Sequence, residues 1–488
     1  MITHAMTHCD DIGPYAEILI PRKNFFTVMS NVRSYTQAPL HFVLMFFILK
    51  LAHDYDSILF WIRLPSLVYW LIGLFCYFYV FQEHFGKKHR GIVVFLMTLS
   101  LISWRGLVES WQSYNYPTLS IFVPLFFHFF TSTYQLQPDW LKSPHHWKKL
   151  GLGFLLGATL WMNYATAFLL GAGAMALTLW IFLYRTKAER KPLFKEAFFV
   201  ALGCYVSFEM IWKFSLKYQN FRGIPGWPGA IAPDGFLPKI GFWFQGWFYI
   251  IKNVTTFLPW EADGPAVIFC VVIAVGFILQ YFKPMTELSK KFYFMLASFV
   301  VIWTYLCFFK HFPMAPTRHT YIFQFPVLML IGYSLSRFSL SSKVYYVASA
   351  LCVALFALNF HTLCENIENK IDPKYLLRLA DENPDATMMG INDTVTWDTV
   401  LLTVERPDLK NRLLLGESYW REVLNNPSIN HLILISHRRG LDKANYDDLE
   451  KSGYHKFVAL KDIPPVGATE LSSTFNGGNG FYVYDVQR

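Results

Sequence analysis

The distribution of apolar and polar positions divides this chain into two regions. Long apolar runs follow one another from Pro39 to Phe360, and the region from there to Arg488 is much more polar. A hydrocarbon core about 30 Å thick is crossed by roughly 20 apolar residues in a helix. The runs do not alternate with a period of two, as the strands of a membrane barrel do. The pattern therefore predicts a polytopic α-helical membrane protein.

About ten transmembrane helices are predicted, together with juxtamembrane helices. The predicted spans cover residues 65–82, 91–104, 118–134, 149–163, 165–184, 196–216, 265–282, 291–309, 320–337 and 343–360. The shorter apolar segment Pro39–Ala52 precedes the first crossing, and we interpret it as an interfacial helix.

Charge placement predicts the orientation of these helices. The chain is 54% hydrophobic, 18% aromatic and only 16% charged, which is far from a soluble average, and it carries a net charge of +9. The positive charges cluster in five short links, at Lys87, Lys88 and Arg90; at Lys142, Lys148 and Lys149; at Arg185, Lys187, Arg190, Lys191 and Lys195; at Lys283, Lys290 and Lys291; and at Arg337 and Lys343. By the positive-inside rule these links face the cytoplasm, and both termini lie outside. The excess charge is thus an orientation signal and does not indicate nucleic-acid binding.

One carboxylate lies within an apolar run. Glu209 is surrounded by the apolar residues 198–214, where a charged group normally faces the protein interior and has a partner. Lys213 follows four residues later on the same face of a helix. This spacing favours a structural ion pair over a proton relay.

The polar C-terminal region, residues 361–488, shows a different pattern. Short apolar runs alternate there with helix-like segments, which predicts a small α/β domain. The chain is therefore divided into a transmembrane domain, residues 1–360, and this C-terminal domain. The orientation of the last span places the C-terminal domain on the outer face.

Unusual polar and aromatic residues gather in four predicted outer segments. They lie near residues 10–39, 104–117, 217–265 and 310–321, and the third of these contains Lys252 and Asp263. Charged groups close to a bilayer are costly, so they indicate function more strongly than the aromatic residues do. Acidic groups near the N terminus could serve as a base or a metal ligand, and basic groups in the later segments could hold an anion.

The order of several short motifs in these segments resembles one family. These pieces are Asp10–Ile18 (DDIGPYAEI), Gln37–Phe42 (QAPLHF), Arg63–Leu67 (RLPSL), Trp111–Leu119 (WQSYNYPTL) and Arg318–Tyr321 (RHTY) with Pro326. In them the chain resembles lipid-dependent glycosyltransferases with the GT-C fold, namely the protein mannosyltransferase and aminoarabinose transferase group, which is glycosyltransferase family 39-like. Each motif alone is weak, and the signal is their common order.

The resemblance implies an inverting transfer of a sugar from a polyprenyl-phosphate donor at the outer face of a bacterial cytoplasmic membrane. Asp11 is the first choice for the catalytic base and Asp10 the second, because the alignment register of the pair is open. The implied ligands of the donor phosphate are Arg318, Tyr321, Arg105, Lys310 and Arg222. The implied substrate contacts are Tyr15, Glu17, Gln37, Gln112 and Tyr116.

Several features of the substrate and of the reaction remain open at this point. The acceptor could be a lipid, a glycan or a protein. Gln112 stands where many relatives have an acidic residue, and Gln37 replaces a lysine, so the sugar is not defined. No nucleotide-binding glycine motif is present, and whether Asp10 and Asp11 bind a divalent cation is open.

Two alternatives compete with this interpretation. A membrane transporter or lipid-linked sugar flippase would typically show internal repeats or broken helices near the middle of the membrane. The polar residues instead concentrate outside the predicted spans. A non-catalytic scaffold whose C-terminal domain binds partners is the other alternative.

Overall fold

A computed structural model describes the larger part of the chain. The described residues are 25–32, 38–53, 55–103, 106–107, 110, 115–133, 145–218, 232–255, 263–282, 285–309, 318–368, 374–390, 406, 408–409, 412–415, 420–437, 443–459 and 481–488. The chain forms two compact units. One comprises Met29–Val43 and Leu64–His361, and the other comprises Thr362–Arg488 with Leu44–Arg63 and the segment that ends at Val28.

Helices dominate the first unit and its flanks. In chain order they are α1 (Phe25–Val32), α2 (Pro39–Ile48), α3 (Tyr55–Phe85), α4 (Arg90–Ile102), α5 (Leu119–Thr133), α6 (His146–Ala158), α7 (Thr166–Tyr184), α8 (Lys187–Phe214), α9 (Phe236–Thr255), α10 (Gly264–Phe282), α11 (Glu287–Phe308), α12 (Gln324–Leu335) and α13 (Ser342–Glu368). Short 3-10 turns stand at Leu49–Leu51, Tyr116–Thr118, Thr159–Trp161, Leu216–Tyr218 and Arg318–Phe323.

Each of the ten predicted apolar runs overlaps one of these helices. Among the described residues, five helices are long and apolar enough to cross a membrane: Phe60–Phe85, Thr166–Tyr184, Lys187–Tyr218, Glu287–Phe308 and Ser342–Phe360. Four shorter helices are also apolar: Pro39–Leu51, Arg90–Ile102, Gly264–Gln280 and Thr320–Leu335. The helical membrane character is therefore confirmed, while the count of ten spans stays a prediction.

The helix α9 lies in a segment whose sequence predicted an outer loop. Its apolar residues are interrupted by Lys239, Gln245 and Lys252, so no continuous apolar run marks it. One side of α9 is buried at Gly246 and Ile250, while other residues of the helix are exposed. The segment is thus an amphipathic helix, which is the pattern of helices that cover a bundle or lie along an interface.

Aromatic side chains fill much of the core of the helical unit. Phe81 and Phe325 stack with ring centroids 5.7 Å apart. The Phe323 ring meets Trp247 and Trp303 edge to face, at 5.0 and 4.8 Å. Because lipid tails are as apolar as the core, helix association in a membrane depends on this close packing and on polar contacts rather than on burial alone.

Contacts between helix ends support an alternating, antiparallel arrangement of the bundle. At the ends that carry the basic links, His84 hydrogen-bonds Tyr333, and the Lys291 ammonium lies 5.8 Å from the centre of the Trp180 ring. At the opposite ends, the Ser103 hydroxyl donates to the carbonyl of Asn253 at 3.4 Å. The basic ends of several helices therefore meet one another, as the positive-inside pattern requires.

Helices α6 and α8 pack along a seam of small residues. A Cβ built on Gly203 would lie 2.7 Å from the backbone nitrogen of Phe154 and closer still to the carbonyl oxygen of Leu150. A Cβ on Gly153 would clash in the same way with the carbonyl of Val200. Glycine is needed here because the two backbones approach too closely for any side chain, as in other small-residue helix pairs of membranes.

The predicted partner of the intramembrane carboxylate is confirmed. The Lys213 ammonium lies 3.6 Å from one oxygen of Glu209, and the Tyr205 hydroxyl donates to the other oxygen at 2.9 Å. The three residues lie on one side of α8, where the carboxylate is satisfied within its own helix.

In the described part of residues 362–488, short helices accompany a five-stranded sheet. The strands are β1 (Thr387–Gly390), β2 (Leu413–Leu415), β3 (His431–His437), β4 (Lys456–Ala459) and β5 (Phe481–Gln487), in the spatial order β2-β1-β3-β5-β4. Strands β2, β1 and β3 are parallel, and β5 is antiparallel to both of its neighbours. The helices are α14 (Lys374–Glu382), α15 (Trp420–Asn425) and α16 (Lys443–Lys451).

Hydrophobic side chains cover both faces of the central strand. Leu432 and Leu434 of β3 pack with Val423 of α15 and Leu449 of α16 on one face. Ile433 lies between these two leucines in the strand, so its side chain points to the opposite face, and it is also fully buried. Successive residues of a strand point to opposite faces, so a strand buried on both sides needs this continuous apolar run.

The glycine seam yields a prediction about stability. We expect Gly203→Ala to destabilise the protein by about 1–3 kcal/mol, because the added methyl group collides with the backbone of α6. Gly151→Ala on α6 is the matched control, since a Cβ there meets nothing within 4 Å and alanine favours the helix. The measurement is the apparent melting temperature of the detergent-solubilised protein. Equal melting temperatures for the two variants would contradict the close backbone contact.

Candidate functional site

Polar side chains are buried together at one set of helix ends. They belong to the ends of α4, α6 and α9, to the start of α12, and to the turns beside them. We call this group the polar end layer, and it consists of Ser103, Asn115, Thr118, Asn163, Lys252, Asn253, Thr320 and Gln324, each of which is at most 5% exposed when backbone and side chain are taken together. Buried polar groups in an apolar bundle are costly unless satisfied, so their concentration marks the candidate site.

Asn163 connects the end of α6 to the turn that precedes α5. Its side-chain nitrogen donates to the carbonyl of Asn115 at 3.1 Å and to the Thr118 hydroxyl at 3.3 Å. Its side-chain oxygen accepts from the backbone of Ala165 at 3.0 Å. In return, Asn115 donates to the carbonyl of Met162 at 2.6 Å. The two asparagines fix the segment that leads from the second predicted outer loop into α5.

A second set of contacts joins α4, α9 and the Arg318–Phe323 turn. Ser103, at the end of α4, donates to the carbonyl of Asn253 in the last turn of α9. The Asn253 side chain donates to the Thr320 hydroxyl at 3.4 Å. Residues that flank two of the predicted phosphate-binding segments therefore meet at the end of the amphipathic helix.

Gly106 allows a close approach of backbone and side chains within the layer. A Cβ built there would lie 2.9 Å from the side-chain nitrogen of Gln324 and 3.3 Å from the indole nitrogen of Trp70. Within the part of the chain that is described, the side-chain oxygen of Gln324 has no hydrogen-bond partner. A buried amide oxygen of this kind is an acceptor for a donor that a ligand or water supplies.

The layer contains one buried cation with its counter-ion. The Lys252 side chain is 6% exposed, and its ammonium lies 2.5 Å from Oδ1 of Asp263, whose side chain is 58% exposed. Asp263 directly precedes α10, and its carbonyl accepts the hydrogen bond of Val267 in the first turn of that helix. Lys252 is therefore a positive charge placed inside the polar end layer.

A separate charged cluster lies in the sheet unit. The Arg406 guanidinium contacts both carboxylate oxygens of Asp408 at 2.9 Å and one oxygen of Asp381 at 2.7 Å. These hydrogen bonds hold the pKa of the Asp408 carboxyl below its usual value, so their stabilising effect is lost as the pH falls through that pKa. The cluster connects the end of α14 to the segment around Arg406, and it contributes little stability because its groups are exposed.

Only part of the predicted site lies within the described residues. Arg318 begins the 3-10 turn that contains Thr320, and Tyr321 of the same turn is buried. Tyr116 is half-buried in the turn that Asn163 holds. The other predicted site residues lie outside the described residues: Asp10, Asp11, Tyr15, Glu17, Gln37, Arg105, Gln112, Arg222 and Lys310.

None of the eight residues of the layer was predicted as a site residue from the sequence, and Lys252, Asn163 and Gln324 show why. Lys252 was assigned to a loop, and its burial follows from a helix that the apolar pattern did not indicate. Asn163 and Gln324 lie at the edges of apolar runs, where a polar residue is ordinary. The available signal was the pair of polar residues Lys252 and Asn253 at the end of an amphipathic stretch.

A metal site was left open by the sequence. Among the described residues there is no group of three or more His, Cys, Asp or Glu side chains that could hold a metal ion. The two aspartates for which a cation was considered, Asp10 and Asp11, lie outside those residues.

Comparisons with known proteins bear on the fold. No protein-family model and no curated protein sequence matches this chain. Among solved structures, the chain is similar to the crystal structure of ArnT from Cupriavidus metallidurans in the apo state, with a TM-score of 0.51 and 11% identity. The match covers 98% of this chain and 93% of ArnT. At this identity the likeness concerns the fold alone, and the chain has the GT-C-like fold of the aminoarabinose transferase ArnT.

Proposed function

We propose that this protein is an inverting glycosyltransferase that moves a sugar from a polyprenyl-phosphate donor to an acceptor at the outer face of a bacterial cytoplasmic membrane. The observation that carries the proposal is the polar end layer within a GT-C-like helical fold. A lipid-linked sugar has an apolar tail and a polar head, so its enzyme needs polar groups at helix ends beside an apolar bundle. The layer provides such groups.

The chemistry assigned to the aspartates is general-base catalysis. An acceptor hydroxyl attacks the anomeric carbon of the donor as a carboxylate, Asp11 or Asp10, takes the hydroxyl proton. The bond from the anomeric carbon to the phosphate oxygen breaks, and polyprenyl phosphate leaves with that electron pair. Attack from the face opposite the leaving group inverts the configuration at the anomeric carbon.

The leaving phosphate gains negative charge, so cations must stabilise it. Arg318 is the first candidate, because a guanidinium offers two parallel donors to phosphate oxygens. The start of its turn is tied to α9 by Thr320 and Asn253. The proposed supporting ligands are Tyr321, Arg105, Lys310 and Arg222.

Substrate contacts and placement complete the proposal. Tyr15, Glu17, Gln37, Gln112 and Tyr116 are proposed to contact the sugar or the acceptor. Tyr116 is the member of this group that the structure describes, beside the Asn115 contact with Asn163. Residues 361–488 are proposed to form a domain on the outer face of the membrane.

The base assignment predicts the phenotype of an aspartate double variant. We expect Asp10→Asn with Asp11→Asn to reduce sugar transfer by 100-fold or more, on the order of the contribution of a general base. Donor binding should persist, because an amide keeps the size of the carboxylate. The measurement is release of polyprenyl phosphate from a polyprenyl-phosphate sugar by purified protein in detergent or nanodiscs.

The control is the adjacent aspartate pair Asp447 and Asp448 in α16. Asp447→Asn with Asp448→Asn should leave the release rate unchanged. Full transfer by the Asp10/Asp11 double variant would exclude these residues as the base. Substrate movement that depends on a membrane potential, with no release of the lipid phosphate, would favour the transporter alternative.

The phosphate assignment predicts a graded effect at Arg318. We expect Arg318→Gln to weaken binding of polyprenyl phosphate by about 10- to 100-fold, in line with hydrogen bonds to a charged group. Arg318→Lys should recover part of this loss, because it restores the charge without the planar fork. The exposed Arg378 of α14 supplies the control variant Arg378→Gln. Unchanged affinity in Arg318→Gln would assign this arginine to anchoring of the helix end.

A further inference from the structure

The ion pair between Lys252 and Asp263 is strongly asymmetric in its exposure to water. The lysine side chain is 6% exposed, whereas the aspartate side chain is 58% exposed. A buried ammonium needs an anion beside it, because desolvation without a partner is costly. The exposed carboxylate has the opposite requirement, since water can solvate it as soon as it leaves the lysine.

This asymmetry means that the counter-ion is exchangeable. Separating a pair that contains a buried ammonium is costly unless another anion takes the vacated position, and an exchange of anions meets that condition. The Lys252 ammonium would keep a partner throughout the exchange. The position that Oδ1 of Asp263 occupies, 2.5 Å from the ammonium, is therefore suited to an oxygen of a different anion.

The surroundings favour negative charge at this position. Asp263 stands directly before the first turn of α10, a helix of 19 residues, and the positive end of the helix dipole attracts an anion there. Lys252 precedes Asn253, whose side chain reaches Thr320 of the Arg318–Phe323 turn. The ion pair thus lies on an element that contacts the turn proposed to bind the lipid phosphate.

We propose that the lipid phosphate of the donor displaces the Asp263 carboxylate from Lys252, so that Asp263 is a built-in competitor that sets the affinity of the site. The proposal rests on the proposed function, and it adds Lys252 as a ligand of the phosphate. The donor is a phosphodiester with one negative charge, and the released polyprenyl phosphate is a monoester with a further ionisable oxygen. Lys252 therefore favours the charge that develops on the leaving group.

The test measures binding of polyprenyl phosphate to the full-length protein in nanodiscs. We expect Asp263→Asn to bind it about tenfold more tightly than the unmodified protein, because the internal competitor is gone. We expect Lys252→Met with Asp263→Asn to bind it at least about tenfold more weakly than the unmodified protein. The double variant removes both charges of this ion pair together, so it should fold even if Asp263→Asn does not.

A matched control is available at the other set of helix ends. Lys290 contacts Glu287 at 3.0 Å, and Glu287 likewise lies in the first turn of a helix. The variant Lys290→Met with Glu287→Gln should bind polyprenyl phosphate as tightly as the unmodified protein. An equal loss in this control would mean that charge in general, and not the Lys252 site, determines binding, which would overturn the proposal.

The remaining outcomes separate this inference from the proposed function. If the unmodified protein releases polyprenyl phosphate from a donor, and the Lys252/Asp263 double variant binds polyprenyl phosphate equally well, the inference fails and the proposed function stands. If the folded, unmodified protein neither binds polyprenyl phosphate nor releases it, both fail. Tighter binding of polyprenyl phosphate by Asp263→Asn, together with weaker binding by the Lys252/Asp263 double variant, supports both the inference and the proposed function.

Discussion

The need to satisfy buried polar groups at one set of helix ends constrains the rest of this structure. Asn163 binds Asn115 and Thr118, and Asn253 binds Thr320, so the layer ties together segments that are far apart in sequence. In an apolar bundle each unmet hydrogen bond is expensive, and the segments therefore have little freedom to separate. The same contacts hold the turns that flank the predicted outer loops.

Close packing and polar fixation act on different parts of the fold. The aromatic core around Phe323 and the glycine seam between Gly153 and Gly203 bring helices together through ring contacts and close backbone approach. Such packing tolerates the exchange of one apolar side chain for another of similar size, but it does not tolerate a change in side-chain volume. In the polar end layer, by contrast, each side chain must supply the hydrogen-bond donor or acceptor that its partner requires.

The sequence predicted the features of the fold that depend on continuous apolar runs. Each predicted span overlaps a helix, and Glu209 has the partner that its spacing indicated. The helix Phe236–Thr255 was missed because charged and polar residues divide its apolar positions, so hydropathy resembles that of a loop. The length of the last of these helices was underestimated as well, since the helix Ser342–Glu368 continues beyond the apolar run into polar sequence.

The site was less accessible to sequence reasoning than the fold. The motifs indicated which loops matter, but the contact of Asn163 with Asn115 joins residues that no local pattern relates. Burial of Lys252 depends on a helix and on its neighbours in space, neither of which the apolar pattern indicated. The order of the strands in the sheet could not be predicted either. Strand β5 lies between β3 and β4, and the strand lengths do not indicate this position.

The most direct measurement is a turnover assay with the unmodified protein. Purified full-length protein in nanodiscs is incubated with a panel of polyprenyl-phosphate sugars and candidate acceptors, and release of polyprenyl phosphate and the anomeric configuration of the product are recorded. We expect release from at least one donor, with inversion at the anomeric carbon. Folded protein that releases no lipid phosphate from any donor, or a product with retained configuration, would contradict it.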